Sequence, residues 1–221
     1  MLMSSNGLFK VFIQARMSSQ RLPGKVLMDF RGLPIIRHVV NAAGMDRCVV
    51  LTSIEPSDDP LAEYCDQNGV SYFRGSLNDV HDRFCKAATV FKCDHVMRIS
   101  ADSPLMPRAL IDYMAALDLD GADLVTNVFP RTFPKGHSAE IISVKTLSAM
   151  RDMGLDDEDR EHVTRYFYNN PDQFNIRNVT QDPAMNSLDL AVDTRGDYDR
   201  LIDFDAASIH YNPKNWKVTQ C

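Results

Sequence analysis

The chain has 221 residues, a formal net charge of -6 at pH 7, 44% hydrophobic and 24% charged residues. That length accommodates one α/β domain with a full core, and the composition excludes disordered and fibrous classes. Nucleic-acid binding and adhesion to anionic membranes rely on net basic surfaces, so both are excluded as broad functions, and clustered cations need a local explanation.

The first apolar run, 8–14, reads as a buried strand, and the polar stretch from Ala15 to Lys25 after it contains the turn signal Pro23-Gly24. Apolar residues at helical spacing follow in 34–43, then a second apolar strand at 48–53. Asp58-Asp59-Pro60 starts a helix reaching about 67, and 70–73 reads as a strand. A helix over 79–91, a strand over 94–100, a helix over 107–117 and a strand over 122–126 continue the rhythm. Such alternation predicts a mostly parallel sheet flanked by helices, with ligands at the carboxyl ends of its strands.

Pro130, Pro134 and Gly136 break the rhythm, and the stretch at about 129–170 reads as an inserted arm on a single 1–221 domain. Within it, 140–144 alternates as an extended segment, and helices are expected at 145–152 and 158–168. Strands at 174–180 and 188–192, the latter leading to 193–197, and a last helix running to about 207 complete the reading. The five cysteines, Cys48, Cys65, Cys85, Cys93 and Cys221, include no C-x-x-C pair and no His-Cys metal spacing, so they read as reduced thiols. With no signal-peptide pattern and no apolar run near ~20 residues, the expectation is a cytoplasmic protein without membrane contact.

Arg16, Arg21 and Lys25 place three cations in one loop after a strand, where they can neutralise phosphate oxygens, and Pro23-Gly24 bends the backbone for close approach. The loop is neither the Walker nor the Rossmann glycine pattern, and taken alone it reads first as a solvated basic turn, since charged loops are common. Asp102 lies just past the strand 94–100, and Asp193 just past 188–192. Each is placed to cap a helix. Together, facing one crevice, they can share a magnesium ion, which needs only one or two carboxylates plus phosphate oxygens and water.

The loop Gln14-Ala15-Arg16, the run Phe73-Arg74-Gly75-Ser76 with Asp79-Val80 and Asp82-Arg83, and Asp102-Ser103-Pro104-Leu105 occur in one order. Pro130-Arg131-Thr132-Phe133-Pro134, Arg160-Glu161-His162-Val163-Thr164 and Val192-Asp193-Thr194 follow. In these motifs the chain resembles the cytidylyltransferase superfamily that makes CMP-activated sugars, the acylneuraminate and ulosonic-acid type, and most of all its spore-coat polysaccharide branch. The resemblance implies a nucleotide-diphospho-sugar transferase (GT-A-like) fold with a small inserted arm for dimerisation and substrate. It also implies transfer of CMP from CTP to a sugar hydroxyl with release of pyrophosphate.

By that resemblance Arg16, Lys25 and Asp102 are the catalytic group, and Gln14, Ala15, Arg16, Arg21, Lys25, Arg74, Asp79 and Ser100 bind the nucleotide. Asp102 and Asp193 hold Mg2+. For the acceptor sugar the candidates are Arg131, His137, Glu140, Arg160 and His162, with Lys135 beside them; a carboxylated sugar favours Arg131 or Arg160 as a bidentate partner. Arg83 flanks the nucleotide or forms a helix-surface ion pair. Ser100-Ala101 stand where sugar-acid cytidylyltransferases commonly carry Gln-Gly before the metal aspartate. A homodimer whose subunits complete each other's sites is also implied. Two other readings stay open: a nucleotidyltransferase using another base or acceptor, and an inactive nucleotide-binding regulator.

Overall fold

The computed structural model describes residues 9–221, so Leu8, expected in the first strand, lies outside the described residues. Strand β1 (Phe9–Gln14) sends Val11 and Ile13 to one face and Phe12 to the other, all fully buried. Period-2 alternation therefore needs apolar cover on both faces of the sheet. The short strands β2 (Asp29–Phe30) and β3 (Leu33–Pro34) form a separate antiparallel pair that leads into helix α1 (Ile35–Ala43). Strand β4 (Cys48–Ser53) is buried throughout. Helix α2 (Asp59–Gln67), strand β5 (Tyr72–Gly75), helix α3 (Val80–Val90), strand β6 (His95–Ser100) and helix α4 (Arg108–Ala115) follow.

After α4 come β7 (Leu124–Thr126), β8 (Glu140–Ser143), α5 (Val144–Ala149), α6 (Asp157–Glu161), α7 (Arg165–Asn169), β9 (Ile176–Gln181), α8 (Arg195–Ile202) and β10 (Trp216–Gln220). The main sheet has the order β10-β9-β7-β8-β6-β1-β4-β5. Strands β6, β1, β4 and β5 are mutually parallel, with Gln14 opposite both Ser100 and Leu51, and Ser53 opposite Gly75. Their carboxyl ends open on one side. Helices α1, α2 and α4 cover one face through Ile36, Val40, Leu61, Leu110 and Met114. Val80, Phe84, Leu147 and Phe167 from α3, α5 and α7 cover the other.

Several expectations change. Of the stretch read as an arm, Glu140–Ser143 enters the main sheet, antiparallel between β6 and β7, because its buried alternating residues fit that slot. The helix expected over 158–168 divides into α6 and α7, since His162 leaves helical backbone at φ -108°, ψ 80°. The segment 188–192 is no sheet strand: it makes one isolated bridge, Lys135 to Asp189, through Leu190 N to Lys135 O (2.8 Å), while Val192 N goes to Asp102 O (2.9 Å). Strand β10, absent from the sequence reading, closes the edge on β9 and packs Trp216 against Tyr113 and Phe133.

Candidate active site

The loop after β1 is held from below by a carboxylate that the sequence reading treated only as a helix start. Asp58, fully buried, accepts from Met17 N (2.7 Å), Thr52 Oγ1 (2.9 Å), Ser53 N (2.9 Å) and Ser53 Oγ (2.5 Å). Burial pushes its pKa up, but the Ser53 hydroxyl, the Met17 and Ser53 amides and the Thr52 hydroxyl outweigh it, and the net shift is downward. Asp58 thus ties the phosphate-loop candidate to β4.

Asp58→Ala leaves these donors buried without an acceptor and is expected to cost about 2–3 kcal/mol in chemical denaturation, with the loop loosened. The lowered folded-state pKa means that Asp58 stabilises the fold above its unfolded value of about 3.9. That contribution is lost as pH falls through the folded value, so the gap between wild type and variant closes in acid.

Above this anchor a cavity of about 390 Å³ opens at the carboxyl ends of β1 and β6, lined by Gln14, Ala15, Arg16, Arg21, Lys25, Ser100, Asp102, His162 and Asp193 among others. Gly24, in the left-handed conformation at φ 73°, turns the chain into the short 3-10 helix that begins at Lys25. The Lys25 ammonium is buried and donates to Asp102 Oδ2 (2.9 Å), Asp193 Oδ1 (3.2 Å) and Val192 O (2.7 Å). The Val192–Asp102 backbone hydrogen bond sets the two carboxylates side by side. Arg21 reaches Asp193 at 3.0 Å and Lys135 reaches it at 3.3 Å. For Asp193, burial again raises the pKa and Lys25, Lys135 and Arg21 overcome it, so the carboxyl stays below its usual range.

A second cavity, about 210 Å³, adjoins the first, and Arg98, Ser100, Asp102 and Asp193 line both. Its far wall carries Arg131, Lys135 and Ser138. Arg131 donates to Ser138 Oγ (3.0 Å) and Pro134 O (3.3 Å), and burial lowers its pKa. Arg98 spans the two chambers from β6, donating to Gln14 Oε1 (3.1 Å) and paired with Glu140.

Five of the residues placed at the site by sequence are engaged elsewhere. Arg74 points away and braces the β4–α2 connection through Ser53 O (2.7 Å), Glu55 O (3.0 Å) and Asp59 (2.7 Å). Asp79 caps α3 by accepting from Asp82 N (2.8 Å) and pairs with Arg160 at 3.0 Å. Glu140 is buried and spent on Arg98 and Tyr168, which leaves it no free acceptor at the cavity. His137 is 1% exposed, its Nδ1 meets Tyr211 Oη (2.5 Å), and burial pushes its pKa down to about 4, so it is a neutral core group. Arg160, held by Asp79, borders neither cavity. His162 does line the first cavity, because the break between α6 and α7 places it there.

One contact escaped sequence reasoning: Arg16 pairs with Glu161 at 3.2 Å, both side chains 42% exposed; such an exposed pair is weak and readily exchanged for phosphate. Arg83, for which the sequence left open a place beside the nucleotide or a helix-surface ion pair, is 1% exposed and lines the first cavity, so it is no surface ion pair. Burial lowers its pKa to about 10 against the attraction of Asp58, with Arg16 lowering it further.

A mixed sheet whose parallel strands end at a cationic loop and two carboxylates has the architecture of a nucleotidyltransferase of the nucleotide-diphospho-sugar type. The comparisons make the assignment particular: the family model described as Cytidylyltransferase matches residues 11–207, and the chain belongs to that family. Over 200 residues it is 32% identical to the spore coat polysaccharide biosynthesis protein SpsF of Bacillus subtilis (strain 168), covering 86% of this chain and 82% of that one. It is 37% identical over 118 residues to the 3-deoxy-manno-octulosonate cytidylyltransferase of Aeromonas salmonicida (strain A449), a match covering 48% of this chain and 44% of that one. The structure of a cytidylyltransferase from Leptospira borgpetersenii serovar Hardjo-bovis (strain JB197) superimposes with a TM-score of 0.84 at 30% identity, covering 91% and 92% of the two chains. No helix among the described residues is long and apolar enough to cross a membrane.

Proposed function

We propose that this enzyme transfers CMP from CTP to a hydroxyl of a carboxylated sugar, an ulosonic acid or a close relative, releasing pyrophosphate for surface polysaccharide or glycan synthesis. The observation that carries the proposal is the wall shared by two cavities: Asp102 and Asp193 border both the chamber that holds Arg16, Arg21 and Lys25 and the chamber that holds Arg131 and Lys135. A triphosphate in the first chamber and an acceptor in the second meet at those carboxylates. Positioning of this kind supplies much of the catalysis of phosphoryl and nucleotidyl transfer.

Arg21 and Lys25 are placed to neutralise the leaving pyrophosphate, and Arg16 joins them on exchanging Glu161 for phosphate. Arg131 offers its guanidinium to a sugar carboxylate, with the Lys135 ammonium adding positive charge. The donor set fits a magnesium ion. Asp102 and Asp193 are adjacent, their side chains 21% and 14% exposed, and the hard oxygen ligands that the ion prefers are completed by phosphate and water. Among the described residues no cluster of three or more His, Cys, Asp or Glu side chains could hold a metal ion. Asp102 and Asp193 would hold the ion, and when bound it would supply positive charge beside the phosphates and lower the pKa of the attacking hydroxyl. The reading includes a cytoplasmic homodimer.

With CTP, Mg2+ and a panel of ulosonic acids and neutral sugars, pyrophosphate release is expected for carboxylated acceptors and should stop on chelation of the metal. Release with neutral sugars alone would remove Arg131 from acceptor recognition. No release with any acceptor, while a related cytidylyltransferase turns over in the same assay, would overturn the function.

A further inference from the structure

Strand β6 carries a cation that belongs neither to the phosphate loop nor to the far wall of the second cavity. Arg98 stands directly opposite Glu140 of the antiparallel strand β8. Period-2 alternation puts it on the face of Phe12, Val96 and Ile142, which pack with α3, α5 and α7. That face is apolar where those residues lie and turns polar toward the carboxyl ends of the strands, where Gln14, Arg98 and Ser100 border the first cavity.

The guanidinium is fixed on two sides. Its Nε donates to Gln14 Oε1 (3.1 Å) and its Nη1 to Glu140 Oε2. Glu140, 3% exposed, is itself held by the Tyr168 hydroxyl, which in turn meets Thr126 Oγ1 at 2.8 Å. A planar group pinned at Nε and Nη1 has little freedom to turn, so the fold sets the direction of Nη2. Nη2 has no hydrogen-bond partner among the described residues, and the side chain is 21% exposed toward the two cavities that it lines.

Position decides what Nη2 meets. Of the two cavities, Arg16, Arg21 and Lys25 border only the first, and Arg131 and Lys135 only the second. Arg98 is the cation among the described residues that borders both. In the CTP reading, on which this inference rests, the leaving pyrophosphate lies on the loop cations and the acceptor lies on the far wall. The phosphorus that changes partners then sits at the boundary. We propose that Arg98 is a catalytic residue of the transfer, donating from Nη2 to a non-bridging oxygen of the α-phosphoryl group, with Gln14, Glu140 and Tyr168 as the residues that position it.

In that step the acceptor hydroxyl oxygen bonds to the α-phosphorus while the bond from this phosphorus to the bridging oxygen of the pyrophosphate breaks. The electron pair of the broken bond leaves with pyrophosphate, and the hydroxyl proton passes to solvent. The non-bridging oxygens carry the charge of the group in transfer, and a donor held in place beforehand stabilises that charge without reorganising.

Steady-state pyrophosphate release by the full chain, with Mg2+ and the ulosonic acid that supports the fastest turnover, would compare the two diastereomers of CTP that carry sulfur at a non-bridging position of the α-phosphorus. Sulfur is a weak hydrogen-bond acceptor, so wild type should use one diastereomer at least about tenfold more slowly than the other. Arg98→Lys keeps a cation opposite Glu140 but not the fixed planar group. Its kcat should fall about 10²-fold with KM for CTP within about threefold, and the two diastereomers should converge to within about threefold. Tyr168→Phe removes one donor from Glu140 and leaves Arg98 in place; kcat should fall about threefold to tenfold at unchanged KM. Circular dichroism reports the fold of each variant. Equal use of the two diastereomers by wild type would overturn the assignment, whether or not the variants fold. A folded Arg98→Lys that keeps wild-type kcat or the wild-type discrimination would overturn it too, as would a loss confined to KM for the acceptor. Those results leave the CTP reading standing, whereas a wild type that releases no pyrophosphate from CTP with any acceptor removes that reading and this inference together.

Discussion

Lys25→Met should lower turnover by about 10²–10³-fold, the range typical for loss of one preorganised donor at a developing charge. The substitution roughly conserves side-chain volume and removes only the ammonium. That ammonium is shared by Asp102 Oδ2 at 2.9 Å and Asp193 Oδ1 at 3.2 Å. Its loss removes positive charge from the leaving pyrophosphate and brings two carboxylates into repulsion. Asp193 keeps Arg21 at 3.0 Å and Lys135 at 3.3 Å, so the fold should survive with its circular dichroism unchanged.

The pH profile of the same variant gives an independent sign. Burial raises the Asp193 pKa, and Lys25 is foremost among the groups that bring it below the ordinary value. Removing Lys25 should therefore raise it, and the acid limb of kcat/KM should move to higher pH, because the carboxylate is protonated sooner as pH falls. Turnover within tenfold of wild type and an unmoved acid limb would show that Lys25 is structural rather than part of the reaction.

Among the glycines of the described residues, Gly136 should tolerate a methyl least in a Gly136→Ala variant. Gly136 has φ +91°, and a Cβ there would meet Leu190 C at 2.6 Å, Ala191 N at 2.7 Å and Leu190 O at 2.8 Å. All three are backbone atoms, so no side-chain rotation relieves the clash. Strain from the positive φ and from overpacking together should cost about 3 kcal/mol or more, read as a shift of the urea midpoint.

Position adds a functional consequence. The segment pressed by this methyl is the one whose Val192 N bonds Asp102 O and which ends in Asp193. Displacement should thus weaken nucleotide binding well beyond the loss of folded protein, and a Gly136→Ala protein with native stability and affinity would refute the close packing of these two segments.

The element types over most of the parallel half were legible because hydrophobic period follows burial. The run 48–53 is a strand buried at every residue, and α2 begins at Asp59, with Asp58 before it and Pro60 in its first turn. The extended character of β8 was legible in its alternation, but its antiparallel place in the main sheet was not. Ile141 and Ile142 pair with Met97 and Val96 on β6 and with Val125 and Leu124 on β7, which no local pattern specifies, and the prolines before β8 imitate an excursion from the domain. Among site residues, the order of the cationic loop, Asp102 and Asp193 was legible, and the structure brings all three to one cavity. Arg74 and Asp79 were misplaced because their motif positions do not reveal that the first is turned onto Ser53 O and Asp59, and the second onto Asp82 N and Arg160.

Sequence by itself determined which residues are cations and carboxylates, their order relative to the strands, and the family that this order matches from residue 11 to residue 207. These are properties of composition and local period, and they need no fold to be read. Only tertiary structure decided which charges face one another: Lys25 between two carboxylates, Asp58 beneath the loop, Glu140 closed off by Arg98 and Tyr168, and Arg83 buried instead of solvated. The physical reason is that burial and pairing are set by contacts distant in sequence. Arg83 turns inward because β5 ends in a residue without a side chain, a fact carried by Gly75 and invisible on the helix itself.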